Sequence, residues 1–566
     1  FSNISAAIGD EISTFPDYPA EIRAPQGTLG GVSGFQVHIG KGVYTPGDKA
    51  DVLVAMNPAA LKTNIKYLKP NGVILFDTDS FEKSDLEKAA FKTDDPFAEL
   101  GITQQLVPVA ITTMVKDSLA DSGLDNKAIL RCKNMFALGL ICWLFERPLE
   151  QAEHLLQNKF AKKPSILEAN ITYHIETSDA RKGIYTDING NRATALGLIA
   201  ASEKSGRPLF LGSYPITPAS DILHELAKRK DLGVKVVQAE DEIAGVCTAI
   251  GASFAGDLAA TSTSGPGLAL KSEAIGLAVM AELPLVIIDV QRGGPSTGLP
   301  TKSEQTDLLQ ALYGRNGESP VVVLAASTPT NCFDMAFQAA KIALEHMTPV
   351  ILLTDAFIAN GSSAWRIPEM SEYPDIKPNY VKPEMLAEGW KPYKRDPETQ
   401  VRYWAIPGTE GFMHRLGGLE KDNVTSAIST DPANHQRMTD LRQAKIDYIA
   451  NCIPALEVKG NPDADLLVVG WGGTYGHLFS AVDELNHEGK KVALAHFNYI
   501  NPLPANTAEV LKRYKKVVVC EQNNGQFATQ LCGKIPGLVV NRFNRVQGQP
   551  FMVSELKEHF IKLMEE

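Results

Sequence analysis

Short apolar, β-branched runs alternate along this chain with longer stretches whose apolar residues recur at helical spacing. From Asp51, "DVLVAM" and "GVILFD" read as strands set between helical segments, and "KAILRCKNMFALGLICWLF" closes the region as helix. This pattern predicts one small α/β domain over residues 1–165. A polar stretch, "ETSDARKGIYTDINGN", reads as a linker over 166–188 before "RATALGLIAASEKSG" resumes a helical period. Six β-rich runs then alternate with helices: "RPLFLG", "VKVVQAE", "LAATST", "LPLVIIDV", "PVVVLAA" and "TPVILLTD". They predict a parallel sheet covered on both faces over 189–370. Residues 371–455 break the pattern, being proline-rich in "PEMSEYPDIKPNYVKPEM" and irregular in "VRYWAIPGTEGFMHRLGGLEKDN". A connection of that length is expected to be an extended functional arm. "DADLLVVGWGGTYG", "KVALAHFNYINPLP" and "KKVVVCEQNNGQ" then give a third α/β set over 456–566.

Composition narrows the function classes. At 566 residues the chain exceeds one hydrophobic core and suits about three domains. An apolar fraction of 44% with 21% charged residues is ordinary for a globular protein. No apolar run approaches the roughly 20 residues of a membrane span, so no membrane partner is expected. The net charge of -11 and the lack of a long basic block argue against nucleic acid as a partner. Seven cysteines, with no CxxC pair, supply neither an iron–sulfur ligand set nor a zinc site, and no metal ligand is assigned in this chain. Their odd number points to a reducing, cytoplasmic setting. The opening "FSNISAAIGDEIS" reads as the tail of a helix that starts upstream.

Four stretches could carry chemistry. In "LFLGSYPITPASDILHEL", Pro215 and Pro218 hold Tyr214 and Thr217 out of the helical region, so the backbone leaves the strand extended. Thr217 suits the helix N-cap and Pro218 its first position, aiming a hydroxyl and free N–H groups beyond the strand's end, where open α/β sheets bind ligands. In "VVQAEDEIAGVCTAIGASFAG", the acids Glu240, Asp241 and Glu242 open a helix of small residues. Such acids suit the helix dipole alone; alternatively, a carboxylate in a poorly hydrated seam is fitted for proton exchange with a bound heterocycle. "TSTSGPGLALKSEAIG" reads as hydroxyl donors and a Gly265-Pro266-Gly267 turn, either a cofactor rim or a plain turn. "DVQRGGPSTGLPTKSEQTDL" places Arg292, Ser296, Thr297 and Lys302 on a loop, as donors for a carboxylate-bearing substrate or as a solvated edge. "GWGGTYG" lacks the spacing of a dinucleotide fingerprint.

Together, and in this order, these stretches with "RYWAIPGTEGFMHRLGGLEKDN" and "EQNNGQ" resemble the α subunit of 2-oxoacid:ferredoxin oxidoreductases, most of all the 2-oxoglutarate type. A γ domain fused at the N-terminus shows in "FPDYPAEIRAPQGTLGGVSGFQVHIG", without the family's usual glycine-rich opening. The resemblance implies a multidomain α/β fold with thiamine-enzyme-like parallel-sheet domains, one of pyrimidine-binding type and one of transketolase C-terminal type, behind an N-terminal α/β γ domain. It implies oxidative decarboxylation of a 2-oxoacid on thiamine diphosphate with Mg2+, electron transfer through [4Fe-4S] centres to ferredoxin, and release of the acyl group on coenzyme A, a reaction reversible in principle. By this resemblance Glu242 would bond the aminopyrimidine ring, and Tyr214, Pro215, Ile216 and Thr217 would line the cofactor. Arg292, with Ser296, Thr297 and Lys302, would meet the substrate. The GDG motif with its following Asn pair, which holds the diphosphate and magnesium, is absent from the sequence, as is any cysteine cluster. In the family both belong to the β subunit, which implies an (αβ)2 assembly. A branched-chain or aryl-pyruvate enzyme is the runner-up, and a non-catalytic scaffold subunit is the reading from another class.

Overall fold

The computed structural model describes residues 1–18, 32–120, 126–145, 147 and 181–566. Residues 19–31 of the γ-like stretch, 148–165 of the first expected domain and 166–180 of the expected linker lie outside the described residues. The chain forms two compact units, Phe1–Asp187 with Ser362–Ile367, and Ile188–Gly361 with Pro368–Glu566.

The first unit carries a three-stranded parallel sheet of Ala50–Ala55, Leu68–Asp77 and Gln105–Val109. Helices Asn126–Arg131 and Lys133–Leu144 follow as the apolar period predicts. Its second sheet runs Gly34–Gly40, Glu11–Asp17, Ser362–Arg366, Tyr185–Asn189. Tyr185–Asn189, read from its polarity as linker, is therefore strand. Its side chains are only half-buried apart from Ile188, which leaves the sequence without an apolar signature.

In the second unit, all six β-rich runs are strands of one seven-stranded sheet. Its order is Tyr499–Asn501, Val322–Ala325, Pro349–Asp355, Leu285–Gln291, Leu258–Thr263, Leu209–Ser213, Lys235–Gln238. Every neighbouring pair is parallel except the first, where Tyr499–Asn501 joins Val322–Ala325 antiparallel. The three central strands, Leu258–Thr263, Leu285–Gln291 and Pro349–Asp355, are buried throughout, the reason they read as unbroken apolar runs. A five-stranded sheet containing Leu466–Trp471, Val492–Phe497 and Lys516–Glu521 shares one core with it, through Val469, Trp471 and Phe527 on one side and Ala325 and Ile351 on the other.

The stretch 371–455 is mostly irregular, but it ends in a 17-residue helix, Pro432–Tyr448, capped by Asp431 and opened by proline. Hydrophobic periodicity misses this helix because its buried positions include Arg442 and Lys445 beside Met438 and Ile446. Lys445 donates to Glu282 at 2.7 Å, and Arg395 of the irregular portion grips the same carboxylate with its two terminal guanidinium nitrogens. Arg402 donates to the Glu282 backbone carbonyl at 3.0 Å. No helix among the described residues is long and apolar enough to cross a membrane.

Candidate active site

Sheet order brings the sequence candidates together. Strands Leu285–Gln291, Leu258–Thr263, Leu209–Ser213 and Lys235–Gln238 are consecutive neighbours running the same way. Arg292, Ser264 to Gly267, Tyr214 to Thr217 and Glu242 all follow the C-terminal ends of these four strands. That is the ligand-binding edge of an open parallel sheet. Ser213 ties two of the strand ends, donating to the Ser262 carbonyl at 2.7 Å.

Beyond Ser213, Tyr214 is exposed, Pro215 and Ile216 are half-buried and Thr217 is exposed again. Thr217 is not the N-cap expected of it. The Thr217–Pro218 peptide is cis, and the turn closes by N–H bonds from Ala219 and Ser220 to the Ile216 carbonyl at 2.8 and 3.0 Å. The helix begins at Ser220, two residues beyond the Pro218 start expected for it, with Ala219 in the N-cap position. Two side chains brace this turn through its backbone: Asn191 donates to the Pro218 carbonyl at 2.9 Å and Arg292 Nη1 to the Thr217 carbonyl at 2.6 Å.

Glu242 opens helix Glu242–Phe254 and is 9% exposed. Of the three acids, Asp241 is the N-cap, accepting the Ala244 N–H at 2.7 Å, while Glu240 and Asp241 face solvent. Division of labour follows: Asp241 satisfies the helix, leaving the Glu242 carboxylate for other work. Glycines seat this helix closely on the sheet, since a Cβ on Gly245 would stand 3.2 Å from the backbone of Ser213. Gly265-Pro266-Gly267 is not a free turn but the first turn of helix Gly265–Leu270, as proline near a helix start permits. A Cβ on Gly267 would run into Thr263 Oγ1 and stand 2.9 Å from Glu242 Cγ, so glycine leaves bare the space beside the carboxylate.

Arg292 directly follows a fully buried strand and is itself 7% exposed. Burial lowers its pKa, against the charge of Asp307, and its buried Nε has no hydrogen-bond partner among the described residues. Ser296 and Thr297 sit on the exposed tip of the loop that follows. The loop closes by a bond of 3.0 Å from the Gly293 N–H to the Lys302 carbonyl, with Lys302 half-buried at its base. Arg292 and Thr217 are thus joined directly, while Ser296 and Thr297 stand on the tip away from that bond.

Three functional candidates escape the sequence reading. Lys271 is fully buried, with Nζ donating to the Glu242 backbone carbonyl at 3.0 Å. Asp289 is fully buried, with neither carboxyl oxygen hydrogen-bonded among the described residues. Burial and then the charge of Asp307 push its pKa well above the carboxylate range. Burial and Glu304 push Asp307 up in turn, against Arg292. A signal for Asp289 existed, an acid inside the apolar run "LPLVIIDV"; Lys271 carried none beyond its place in a quoted motif.

A buried acid beside a Cβ-free space, exposed Tyr214 and Thr217, and apolar Pro215 and Ile216 fit a flat, partly apolar heterocycle with a basic ring nitrogen. That donor set suits the aminopyrimidine end of thiamine diphosphate. No group of three metal-ligating side chains stands together among the described residues.

The fold and this edge define the thiamine-dependent class of oxidoreductases acting on 2-oxoacids. The family model "Pyruvate flavodoxin/ferredoxin oxidoreductase, thiamine diP-bdg" matches residues 202–430, a "Pyruvate ferredoxin/flavodoxin oxidoreductase" model residues 2–176, and "Pyruvate:ferredoxin oxidoreductase core domain II" residues 464–556. The chain is 50% identical to the 2-oxoglutarate oxidoreductase subunit KorA of Mycobacterium tuberculosis, over 98% of this chain and 87% of that one. It is 30% identical to the α subunit of 2-oxoacid:ferredoxin oxidoreductase 1 of Aeropyrum pernix, over 81% of this chain and 75% of that one. Among solved structures it matches the 2-oxoglutarate:ferredoxin oxidoreductase from Magnetococcus marinus, solved with 2-oxoglutarate, coenzyme A and succinyl-CoA bound. The TM-score is 0.84 and the identity 29%, with 99% of this chain and 95% of that one covered. The chain belongs to the family of 2-oxoacid:ferredoxin oxidoreductase α subunits.

Proposed function

We propose that this chain is the α subunit of a 2-oxoglutarate:ferredoxin oxidoreductase and supplies the pyrimidine side of an active site completed by a β subunit. The observation that carries this reading is the 50% identity, over nearly the whole chain, with a subunit named for 2-oxoglutarate. Bound thiamine diphosphate would supply the electron sink for decarboxylation. This chain's residues orient it and manage protons. Glu242 holds a proton against the aminopyrimidine ring nitrogen, in a position screened from water by its own burial. The Tyr214 to Thr217 turn, fixed through its backbone by Arg292 and Asn191, keeps the Thr217 hydroxyl at the junction of substrate and cofactor. Arg292, anchored through Nη1 on the Thr217 carbonyl, turns the charge of its guanidinium to a substrate carboxylate. Ser296, Thr297 and Lys302 extend the donor set for the second carboxylate of 2-oxoglutarate.

The diphosphate, Mg2+ and the [4Fe-4S] centre are assigned to the β subunit, ferredoxin is the electron acceptor, and the assembly is (αβ)2 in the cytoplasm. The test is a panel of 2-oxoacids on the complex with its β partner, with coenzyme A and ferredoxin, read by reduced acceptor. 2-Oxoglutarate is expected to turn over fastest. Preference for a branched-chain or aryl substrate would move the assignment to those enzymes, and no turnover with any 2-oxoacid would leave a scaffold.

A further inference from the structure

Lys271 occupies the break between helices Gly265–Leu270 and Ser272–Ala281. It has no exposed surface, and its ammonium makes one hydrogen bond to a described residue, the Glu242 carbonyl at 3.0 Å. Burying an ammonium is costly, and an apolar side chain of similar length would fill the same volume without that cost. Gly267, one helical turn before Lys271, is the residue whose bare Cα faces Glu242 Cγ. Helix Gly265–Leu270 and the residue that ends it thus meet residue 242 twice, at its side chain through Gly267 and at its backbone through Lys271.

We infer that Lys271 is a positioning residue for Glu242, fixing its backbone by hydrogen bond and presenting a positive charge to its carboxylate. This rests on the assignment of Glu242 to the aminopyrimidine ring. The Lys271 ammonium, held at the head of helix Glu242–Phe254, is a counter-charge for the carboxylate left when the Glu242 proton has passed to the ring nitrogen. The titratable groups facing Lys271 are Glu242, Asp241 and Cys247, all on or capping helix Glu242–Phe254. Burial lowers the Lys271 pKa to about 8, with Glu242, Asp241 and Cys247 opposing. The charge is therefore complete near neutral pH and lost as pH rises through that value. A neutral amine still donates an N–H, so the carbonyl contact and the charge are separable.

The test uses the holoenzyme with its β partner, as wild type, Lys271→Met, Lys271→Gln and Glu242→Gln. The readouts are deuterium exchange at the thiazolium carbon of bound thiamine diphosphate, kcat and KM for 2-oxoglutarate, and the melting temperature. Both Lys271 variants are expected to slow exchange and kcat by about tenfold or more, with KM little changed. In wild type, exchange is expected to fall as pH rises past about 8, and the variants to lack that limb. Exchange at the wild-type rate in both Lys271 variants, whatever their melting temperatures, would overturn the inference. A wild-type profile flat through that pH range would overturn the part given to the charge, and does so even if neither variant assembles. If Glu242→Gln also exchanges at the wild-type rate, the assignment of Glu242 fails; if only the Lys271 variants do, the positioning role alone fails.

Discussion

Replacing Glu242 by Gln preserves shape and hydrogen bonding at a buried position but removes the exchangeable carboxyl proton. The complex is expected to assemble and melt as wild type while acceptor reduction falls by about 100-fold or more, the scale of a lost general acid–base group. Steady-state kinetics beside calorimetry check this, and undiminished turnover would end the assignment. The placement of Glu242, Thr217 and Arg292 was legible in the sequence because each follows a run whose apolar character marks a strand, and parallel topology gathers such positions on one edge. What sequence could not give is how they are braced. The Arg292 to Thr217 bond spans 75 residues and ends on a backbone carbonyl, an acceptor every residue carries. The N-cap expected of Thr217 failed for a related reason, since the turn that delays the helix closes on the Ile216 backbone carbonyl, an acceptor no side chain announces.

Among the elements, the stretch 371–455 is held by buried ions as well as by buried apolar residues such as Tyr393, Trp404 and Phe412. Burial alone would raise the Glu282 carboxyl, but Arg395 and Lys445 together bring it far below its ordinary value of 4.5. A depressed carboxyl stabilises the fold fully above its unfolded value, and that contribution is lost as pH falls below 4.5 toward the folded value. Glu282→Gln leaves Arg395 and Lys445 buried without a counter-charge and is expected to cost about 3–5 kcal/mol. Denaturation at pH 7 and near pH 4 checks both statements: the variant should unfold earlier at neutral pH, with the gap narrowing in acid. The same ions explain why helix Pro432–Tyr448 was hidden. An element whose inner face carries Arg442 and Lys445 has no apolar period, whereas the all-buried strands declared themselves as apolar runs.

At the scale of the molecule, the proposed function makes the chain one wall of a reaction centre. Purified alone, it is expected to bind thiamine diphosphate weakly and to reduce no acceptor, with both properties appearing as the β partner is titrated in. Calorimetric binding and acceptor absorbance follow this, and turnover by the chain alone would refute the division of labour. The six-strand succession was readable from sequence. The seventh strand, Tyr499–Asn501, was not, because three residues offer no period and its pairing with Val322–Ala325 crosses more than a hundred residues. That late strand has a practical consequence. Severing the chain ahead of Val458 would strip one margin of the central sheet and leave the N–H and C=O row of Val322–Ala325 open to any passing strand, including its own kind. Halves produced separately should therefore clump, and the same halves produced together should stay dispersed, as light scattering would report.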